Sequence, residues 1–344
     1  MLTQRIDLDD DLLGFMHGWA RKLVGHCDKL TVVALGVGRH NLPENIQVLS
    51  LGKDSLVILK KIKYIFNFFK YIWRFRNDYD HVFVHMNKEY MLLGGLFWSL
   101  LGKKTALWYN HRYGNIWGKL AGALANKIFF TSPFSFFSDN KKAERMPAGI
   151  DTENFQVSSS KFQVPNSILF LGRISPVKKP DVLLRAAKIL DAQGIDFILD
   201  FVGEPGFKDA VYFDNLKKDA RELEAKGMVN FPGKVSNEQA PAVFNQHKIF
   251  VNLTDSGSFD KTIPESMACE LIPIVSSRSY EKVLPPELIF KEGDAEDLAG
   301  KLAKALDLTE VSAQNLGKKF RQYVLANHSL DLLMEKITMS FKKL

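Results

Sequence analysis

Short apolar runs of four to six residues recur along this chain at 30–35, 46–51, 81–85, 105–108, 127–131, 168–171, 249–253 and 272–275, several of them closed by glycine or a small polar residue. Runs this short and this uniformly apolar predict strands buried on both faces. Between them the spacing of apolar positions changes to threes and fours. Residues 181–190, DVLLRAAKIL, place apolar side chains on one helical face and Asp181 at the N-cap position. Strand and helix patterns interleave with no tandem repeat or low-complexity tract, which predicts an α/β class. At 344 residues the chain exceeds what one hydrophobic core usually supports, so two domains are expected. A hydrophobic content of 46% with 25% charged residues belongs to globular rather than disordered chains.

Two segments about 90 residues apart carry candidate chemistry. In 168–178, ILFLGRISPVK, the apolar run stops at Gly172 and passes to Arg173, Ser175, Pro176 and Lys178 before the helix at 181 begins. A strand end, a glycine and a helix start leave backbone N–H groups aimed into one crevice, where anions bind. Arg173 and Lys178 lie on that loop, within reach of one diphosphate. In the second segment the strand 249–253 ends in a polar loop, and TIPESMACE at 262–270 opens a helix with Glu265 in its first turn. The helix dipole favours a carboxylate there, and a carboxylate so held can accept a pair of hydrogen bonds from ribose hydroxyls.

Together these segments resemble retaining glycosyltransferases of family 4, the glycosyl transferases group 1. Pro147-Ala-Gly-Ile-Asp151 resembles that family's PNGID link, FLGRISPVKKPDVLL (170–184) its GRL..EKG...L segment, and Phe201-Val-Gly203 its VG.G strand end. Phe231-Pro-Gly-Lys-Val235 is similar to its F.G.V strand, and PESMAC (264–269) to its EAMACG helix. Several ordered matches at matching spacings are a stronger signal than one glycine loop. The resemblance implies the GT-B architecture: two Rossmann-like doubly wound domains facing a central cleft. The expected domains are an acceptor-binding domain over 1–155, a nucleotide-sugar-binding domain over 156–325, and a last helix, 326–344, returning to the first domain.

The same resemblance implies an activity and its residues. A sugar would move, with retention, from a nucleoside diphosphate-sugar to a lipid-linked or glycan acceptor. Arg173 and Lys178 would offset charge on the leaving diphosphate, with backbone N–H groups near Thr262 and Ile263 adding to them. Glu265 would hold the ribose, Val235 would read the base, and Gly172 and Gly14 would let backbone approach the phosphates. His111, after the strand 105–108, would face the donor sugar. No metal or other cofactor would be required. Two departures bear on the donor sugar: Gly257 stands where the family's Glu-x7-Glu pattern has its first carboxylate, leaving Asp255 or Asp260 as substitutes, and Glu270 replaces the glycine after MAC. Two other readings share the fold: a catalytically degenerate protein that binds sugar nucleotide or glycolipid without turnover, and a nucleotide-sugar 2-epimerase.

The first half holds features of its own. Only Met1-Leu-Thr-Gln4 precedes a polar loop where the family has a full strand, which implies a clipped amino terminus or a frayed edge. The run Asp9-Asp10-Asp11 reads as a solvated, helix-capping loop rather than a metal site, because adjacent carboxylates do not converge on one ion. His17, His26, His40 and His85 have no metal-ligand spacing.

Charge is unevenly distributed. Residues 1–155 carry 21 Lys and Arg against 14 Asp and Glu, whereas the rest carry 25 of each, so the net +7 lies wholly in the first part. That localisation predicts a partner surface on one domain. Its carrier is 58–76: on a helix, Ile58, Ile62, Ile65, Phe69 and Ile72 form an inward stripe, while Lys60, Lys63, Asn67, Lys70 and Arg74 line the opposite face. Lys61, Tyr64, Phe68, Tyr71 and Phe75 flank the basic stripe. Such a face suits an anionic lipid surface, to which each cation contributes ~1 kcal/mol. Packing in the domain with a solvated face is the alternative. Nucleic acid is not expected, because neither a Gly-rich RNA signature nor a groove-reading motif accompanies the basic helix. The apolar stretch 91–101 falls well short of the ~20 residues a membrane span needs and predicts a buried helix. No secretory signal opens the chain, and Cys27 and Cys269, one in each half, give no disulfide framework. A cytoplasmic protein, peripheral on the inner face of the cytoplasmic membrane, is the expectation; oligomeric state is not legible.

Overall fold

The computed structural model describes residues 1–10, 12–53, 60–158, 166–257 and 259–344, the side chains of Lys60 and Lys61 excepted. The chain divides into two units, Met1–Gly149 with Leu330–Leu344, and Ile150–Ser329. In the first, strands β1 (Leu2–Ile6), β2 (Leu30–Val37), β3 (Ile46–Ser50), β4 (His81–His85), β5 (Lys104–Trp108), β6 (Lys127–Phe130) and β7 (Ala143–Arg145) form one sheet in the order β3-β2-β1-β4-β5-β6-β7. Each neighbouring pair is parallel. Because side chains alternate along a strand, both faces are buried. Val82, Val84, Leu107 and Ile128 pack with Phe68, Tyr90 and Trp98 on one side. Phe83, Trp108 and Phe129 pack with Met16, Trp19, Leu333 and Ile337 on the other.

The second unit has five parallel strands, β8 (Ser167–Leu171), β9 (Ile198–Val202), β10 (Val229–Gly233), β11 (Ile249–Asn252) and β12 (Ile272–Val275), in the order β10-β9-β8-β11-β12. Helices Pro180–Ala192, Ala210–Ala225, Ala240–Gln246, Thr262–Ala268, Ala295–Leu306 and Glu310–His328 connect and cover them. The unit boundaries differ by a few residues from those expected at 155 and 325. Ile150 N–H donates to the His328 carbonyl at 2.8 Å and Phe155 rests on Phe244, ring centroids 6.0 Å apart. These contacts tie the segment after Gly149 to the second unit. Helix Leu330–Lys342 belongs to the first, where Lys22 pairs with Asp331 at 3.0 Å and Ser340 Oγ donates to Glu144 at 2.9 Å.

Four expectations are corrected. The first strand is not a frayed edge: β1 is short, but it lies at the centre of its sheet between β2 and β4. Asp181 is not the N-cap of its helix. Lys179 holds that position with φ 52°, Pro180 starts the helix, and the Asp181 carboxylate instead accepts from the Tyr212 hydroxyl at 2.5 Å. In helix Lys60–Arg74 the inward face is drawn from both stripes: Phe68, assigned to the flanks, and Ile72, assigned inward, are buried, with Tyr64, Phe69 and Tyr71 half-buried, while Ile62 and Ile65 are exposed. The Tyr71 hydroxyl donates to the Ser50 carbonyl and Asn67 to that of Leu51, at 3.0 and 3.1 Å, which fixes this rotation. Lys63 accordingly lies against Gly52 rather than on a solvated stripe; Ile58 falls outside the described residues. Finally, helix Lys88–Leu100 buries Met91 and Trp98 but leaves Leu93, Leu96, Phe97 and Leu100 exposed.

Candidate functional site

In the second unit the chain runs outward from β8 through β9 to β10, then returns to the other side of β8 for β11 and β12. The reversal lies between β8 and β11. In an open parallel sheet the crevice beyond the strand ends at such a reversal is where ligands bind, because the loops there diverge to opposite faces. Both segments singled out in the sequence end there. Gly172 and Arg173 follow β8, and residues 253–257 follow β11.

Glycines clear the adjoining strand ends. Gly203, just past β9, has φ +150° and no room for a side chain: a Cβ there would lie 1.9 Å from the Gly172 carbonyl oxygen. Gly172 itself has φ +154° and open space where its Cβ would be, so backbone is bare at this edge. Gly203→Ala is expected to cost about 1–3 kcal/mol in urea unfolding, the scale of a forced backbone rearrangement. Val235 follows β10 at the same edge of the sheet, half-buried.

Asp260 organises the β11 side. Its Oδ2 accepts from Lys178 Nζ at 2.5 Å, Asn252 Nδ2 at 3.0 Å and Thr254 Oγ1 at 3.0 Å. Its Oδ1 accepts from Thr262 Oγ1 at 2.9 Å and Thr262 N–H at 3.2 Å. Burial opposes ionisation of this carboxyl, but the Lys178 ammonium and the donated hydrogen bonds outweigh it and hold Asp260 well below the usual carboxylate range. Of the two candidate substitutes for the missing carboxylate, Asp260 thus stands beside Lys178, whereas Asp255 pairs with Lys179, which also meets Glu292 at 3.1 Å. The expected open N–H groups at Thr262 and Ile263 are instead occupied: Thr262 N–H by the Asp260 carboxylate and Ile263 N–H by the Asp260 carbonyl, at 3.4 Å. The Asp260 side chain, two residues ahead of Thr262, thus ties down the start of this seven-residue helix, Thr262–Ala268, from just outside it.

Glu265 is buried in the helix's first turn. Burial raises its carboxyl above the usual carboxylate range, against the pull of the Lys261 ammonium. Burial likewise lowers Lys261, opposed by Glu265 and Asp151. Arg173 is exposed and has no hydrogen-bond or ion-pair partner among the described residues. The crevice therefore presents one uncommitted cation, one committed to Asp260, and a buried carboxyl. Sequence reasoning missed Asn252, Thr254 and Lys261. Their signal was the density of small polar residues closing β11, which alone does not distinguish a site from a turn.

The candidates of the first unit are placed separately. Gly14 is buried just ahead of helix Phe15–Leu23 with right-handed φ −52°, so it needs no glycine backbone there. Its N–H donates to the Asp10 carbonyl at 3.0 Å. The Asp10 carboxylate accepts from the N–H groups of Leu12 and Leu13, and Asp9 pairs with Arg39 at 2.6 Å; Asp11 lies outside the described residues. His111 is an exposed loop residue after β5, its ring edge-on to Tyr109 with centroids 5.3 Å apart. Partial burial of the ring and the nearby Lys88 ammonium lower its pKa. His17 Nε2 accepts from Asn41 N–H at 3.0 Å, a structural role.

Known proteins fold in the same way. An Anabaena protein, HepE, solved with UDP and glucose, superposes over 100% of this chain and 99% of its own with a TM-score of 0.79 at 13% identity. Sucrose-phosphate synthase from Thermosynechococcus elongatus does so over 99% of this chain and 98% of its own, with a TM-score of 0.78 at 14% identity. At such identities the likeness shows the fold, two parallel-sheet α/β domains of the GT-B type. In sequence, D-inositol 3-phosphate glycosyltransferase of Mycolicibacterium smegmatis is 29% identical over 148 residues, 41% of this chain and 33% of that one. A second such enzyme, from Catenulispora acidiphila, is 33% identical over 32% of this chain and 27% of its own. The matched region thus spans about a third of the length of these relatives. The family model described as glycosyl transferases group 1 matches residues 151–323. That stretch holds the β8–β11 reversal, Arg173, Lys178, Asp260 and Glu265, and covers half of the sequence, so the chain belongs to the glycosyl transferases group 1 family.

Proposed function

We propose that the protein is a glycosyltransferase that moves a sugar, with retention, from a nucleoside diphosphate-sugar to a lipid-linked or glycan acceptor at an anionic membrane surface. One observation carries the donor part: Arg173, Lys178 and the bare backbone of Gly172 and Gly203 meet at the sheet reversal, with a buried carboxyl, Glu265, on the next helix. The cations receive the diphosphate, Glu265 accepts the ribose hydroxyls, and backbone around Val235 meets the base. The bond from the sugar's anomeric carbon to the diphosphate oxygen breaks. The acceptor oxygen bonds to that carbon on the same face, and its proton passes to the departing phosphate oxygen. Charge builds on the diphosphate during this step, and preorganised cations then interact with it more strongly than in the ground state. On this reading Arg173 and Lys178 supply that charge and no metal is needed.

A second reading, a family member that binds sugar nucleotide without turnover, draws on Gly257. It is buried with φ +120°, a backbone conformation in which a residue carrying a carboxylate side chain would be strained. Thermal unfolding against a panel of nucleoside diphosphates and their sugar conjugates tests both readings. A ligand at 100 times its Kd that binds only the native state adds about 2.7 kcal/mol of stability. Stabilisation by one diphosphate series, absent in Glu265→Ala, is the expected result, with UDP the first to try. Stabilisation without sugar release in the presence of any acceptor supports the second reading, and no response to any nucleotide overturns both.

A further inference from the structure

Three neighbouring helices of the first unit turn apolar side chains outward at helical spacing. On Lys60–Arg74 these are Ile62, Ile65, Phe66 and Trp73, with Phe66 65% and Trp73 61% exposed. On Lys88–Leu100 they are Leu93, Leu96, Phe97 and Leu100, the last 85% exposed, and on Ile116–Leu124 they are Ile116, Trp117 and Leu120. Phe69 and Phe97 touch across the first two helices, ring centroids 5.1 Å apart. The third helix packs on the second where Gly95 meets Leu124. Each helix also has an inward apolar face, so these residues are surplus to the core. An apolar surface spread over several elements marks an interaction site rather than the scattered exposure common to all proteins.

Charge identifies the partner. Lys60–Arg74 and Ile116–Leu124 contain no Asp or Glu, and Lys88–Leu100 has only Glu89, which Lys88 neutralises at 3.1 Å. Lys70, Arg74 and Lys119 are exposed on these helices, and Arg76 lies over the Trp73 ring at 4.3 Å. A protein partner would meet a mixed-charge rim, whereas a face whose helices carry only cations, apart from the paired Glu89, complements anionic headgroups above acyl chains. Among the described residues no helix is long and apolar enough to cross a membrane, which fits helices lying on the bilayer.

We propose that this three-helix face seats the protein on an anionic bilayer, with Phe66, Trp73, Leu100 and Trp117 entering the boundary between headgroups and acyl chains and Lys70 and Arg74 meeting lipid phosphates. The proposal deepens the membrane part of the function proposed above and rests on it only for the choice of partner. Of the basic stripe expected from the sequence, Lys70 and Arg74 are exposed beside this apolar centre, Lys63 lies against Gly52, and the Lys60 side chain is outside the described residues.

The test is co-sedimentation of the full chain with vesicles of phosphatidylcholine alone and of phosphatidylcholine with phosphatidylglycerol, without donor. Binding is expected to the anionic vesicles and to weaken with salt. Phe66→Ser combined with Trp73→Ser is expected to lower partitioning by on the order of tenfold or more. Lys70→Glu combined with Arg74→Glu is expected to do the same on anionic vesicles only. These side chains are exposed, so folding is expected to survive, and nucleotide-induced thermal stabilisation in the same variants is expected to be unchanged. Loss of that stabilisation with vesicle binding intact would instead fault the donor reading. Absence of vesicle binding, equal binding by the variants, or a salt-stable dimer in sedimentation velocity that the apolar variant dissociates would overturn the proposal, the last by making the face a contact between two copies.

Discussion

Arg173→Ala is expected to lower kcat by about 10²–10³-fold, the scale of losing one preorganised electrostatic contact, while weakening the donor's Kd by much less. Arg173 differs from Lys178 in one decisive way. Lys178 already faces a carboxylate at 2.5 Å, so part of its field is spent in the resting protein, whereas Arg173 is exposed at the end of β8 with no partner among the described residues. As the sugar departs, the diphosphate gains a negative charge, and an uncommitted guanidinium responds to that gain in full. The stabilisation is thus larger in the transition state than in the bound donor, which places the loss in kcat rather than in binding. Calorimetric titration of a nucleoside diphosphate-sugar, set beside steady-state turnover, separates the two. A weakened Kd with kcat unchanged would assign Arg173 to binding alone.

The strand-forming runs were legible because parallel strands buried on both faces are almost uninterrupted apolar segments. Residues 81–85 and 272–275 match β4 and β12 residue for residue. β7 was not legible, since Ala-Glu-Arg carries no apolar run and pairs only along one edge of its sheet. The rotation of helix Lys60–Arg74 was not legible for a different reason. Ile62, Ile65, Phe69 and Ile72 recur at threes and fours, and so do Tyr64, Phe68, Tyr71 and Phe75. Periodicity finds both stripes and cannot rank them, whereas hydrogen bonds from Asn67 and Tyr71 to the end of β3 do.

At the candidate site, the motifs singled out Arg173, Lys178 and Glu265 because each follows a strand end or opens a helix, positions that sequence marks well. Which of Asp255 and Asp260 could stand in for the missing carboxylate was open in the sequence, because the segment between β11 and the next helix takes its direction from side-chain hydrogen bonds rather than from any repeating pattern. Thr254 and Asn252 draw Asp260 inward, and Asp255 is left to the surface with Lys179.

That arrangement makes Asp260 the position where a single change is expected to cost the fold most. Asp260→Ala removes the acceptor for Lys178, Asn252, Thr254 and Thr262 together, and losing one member of a largely buried ion pair costs about 3–5 kcal/mol. Because the native Asp260 carboxyl titrates well below its unfolded value, its contribution is fully present above the unfolded pKa of ~3.9 and is lost as pH falls through the lower native value. The stability gap between the wild-type protein and Asp260→Asn in urea is therefore expected to be flat from neutral pH down to about 5 and to close only in stronger acid. Lys178→Met should destabilise the wild type more than it destabilises Asp260→Asn, since in the latter the charge it would strand is already gone. A gap that is small at neutral pH, or one that does not narrow in acid, would mean that the loop is held by its backbone rather than by this carboxylate. Lys178 would then be as free as Arg173 to meet the diphosphate, and the two cations would no longer divide into one that is committed and one that is not.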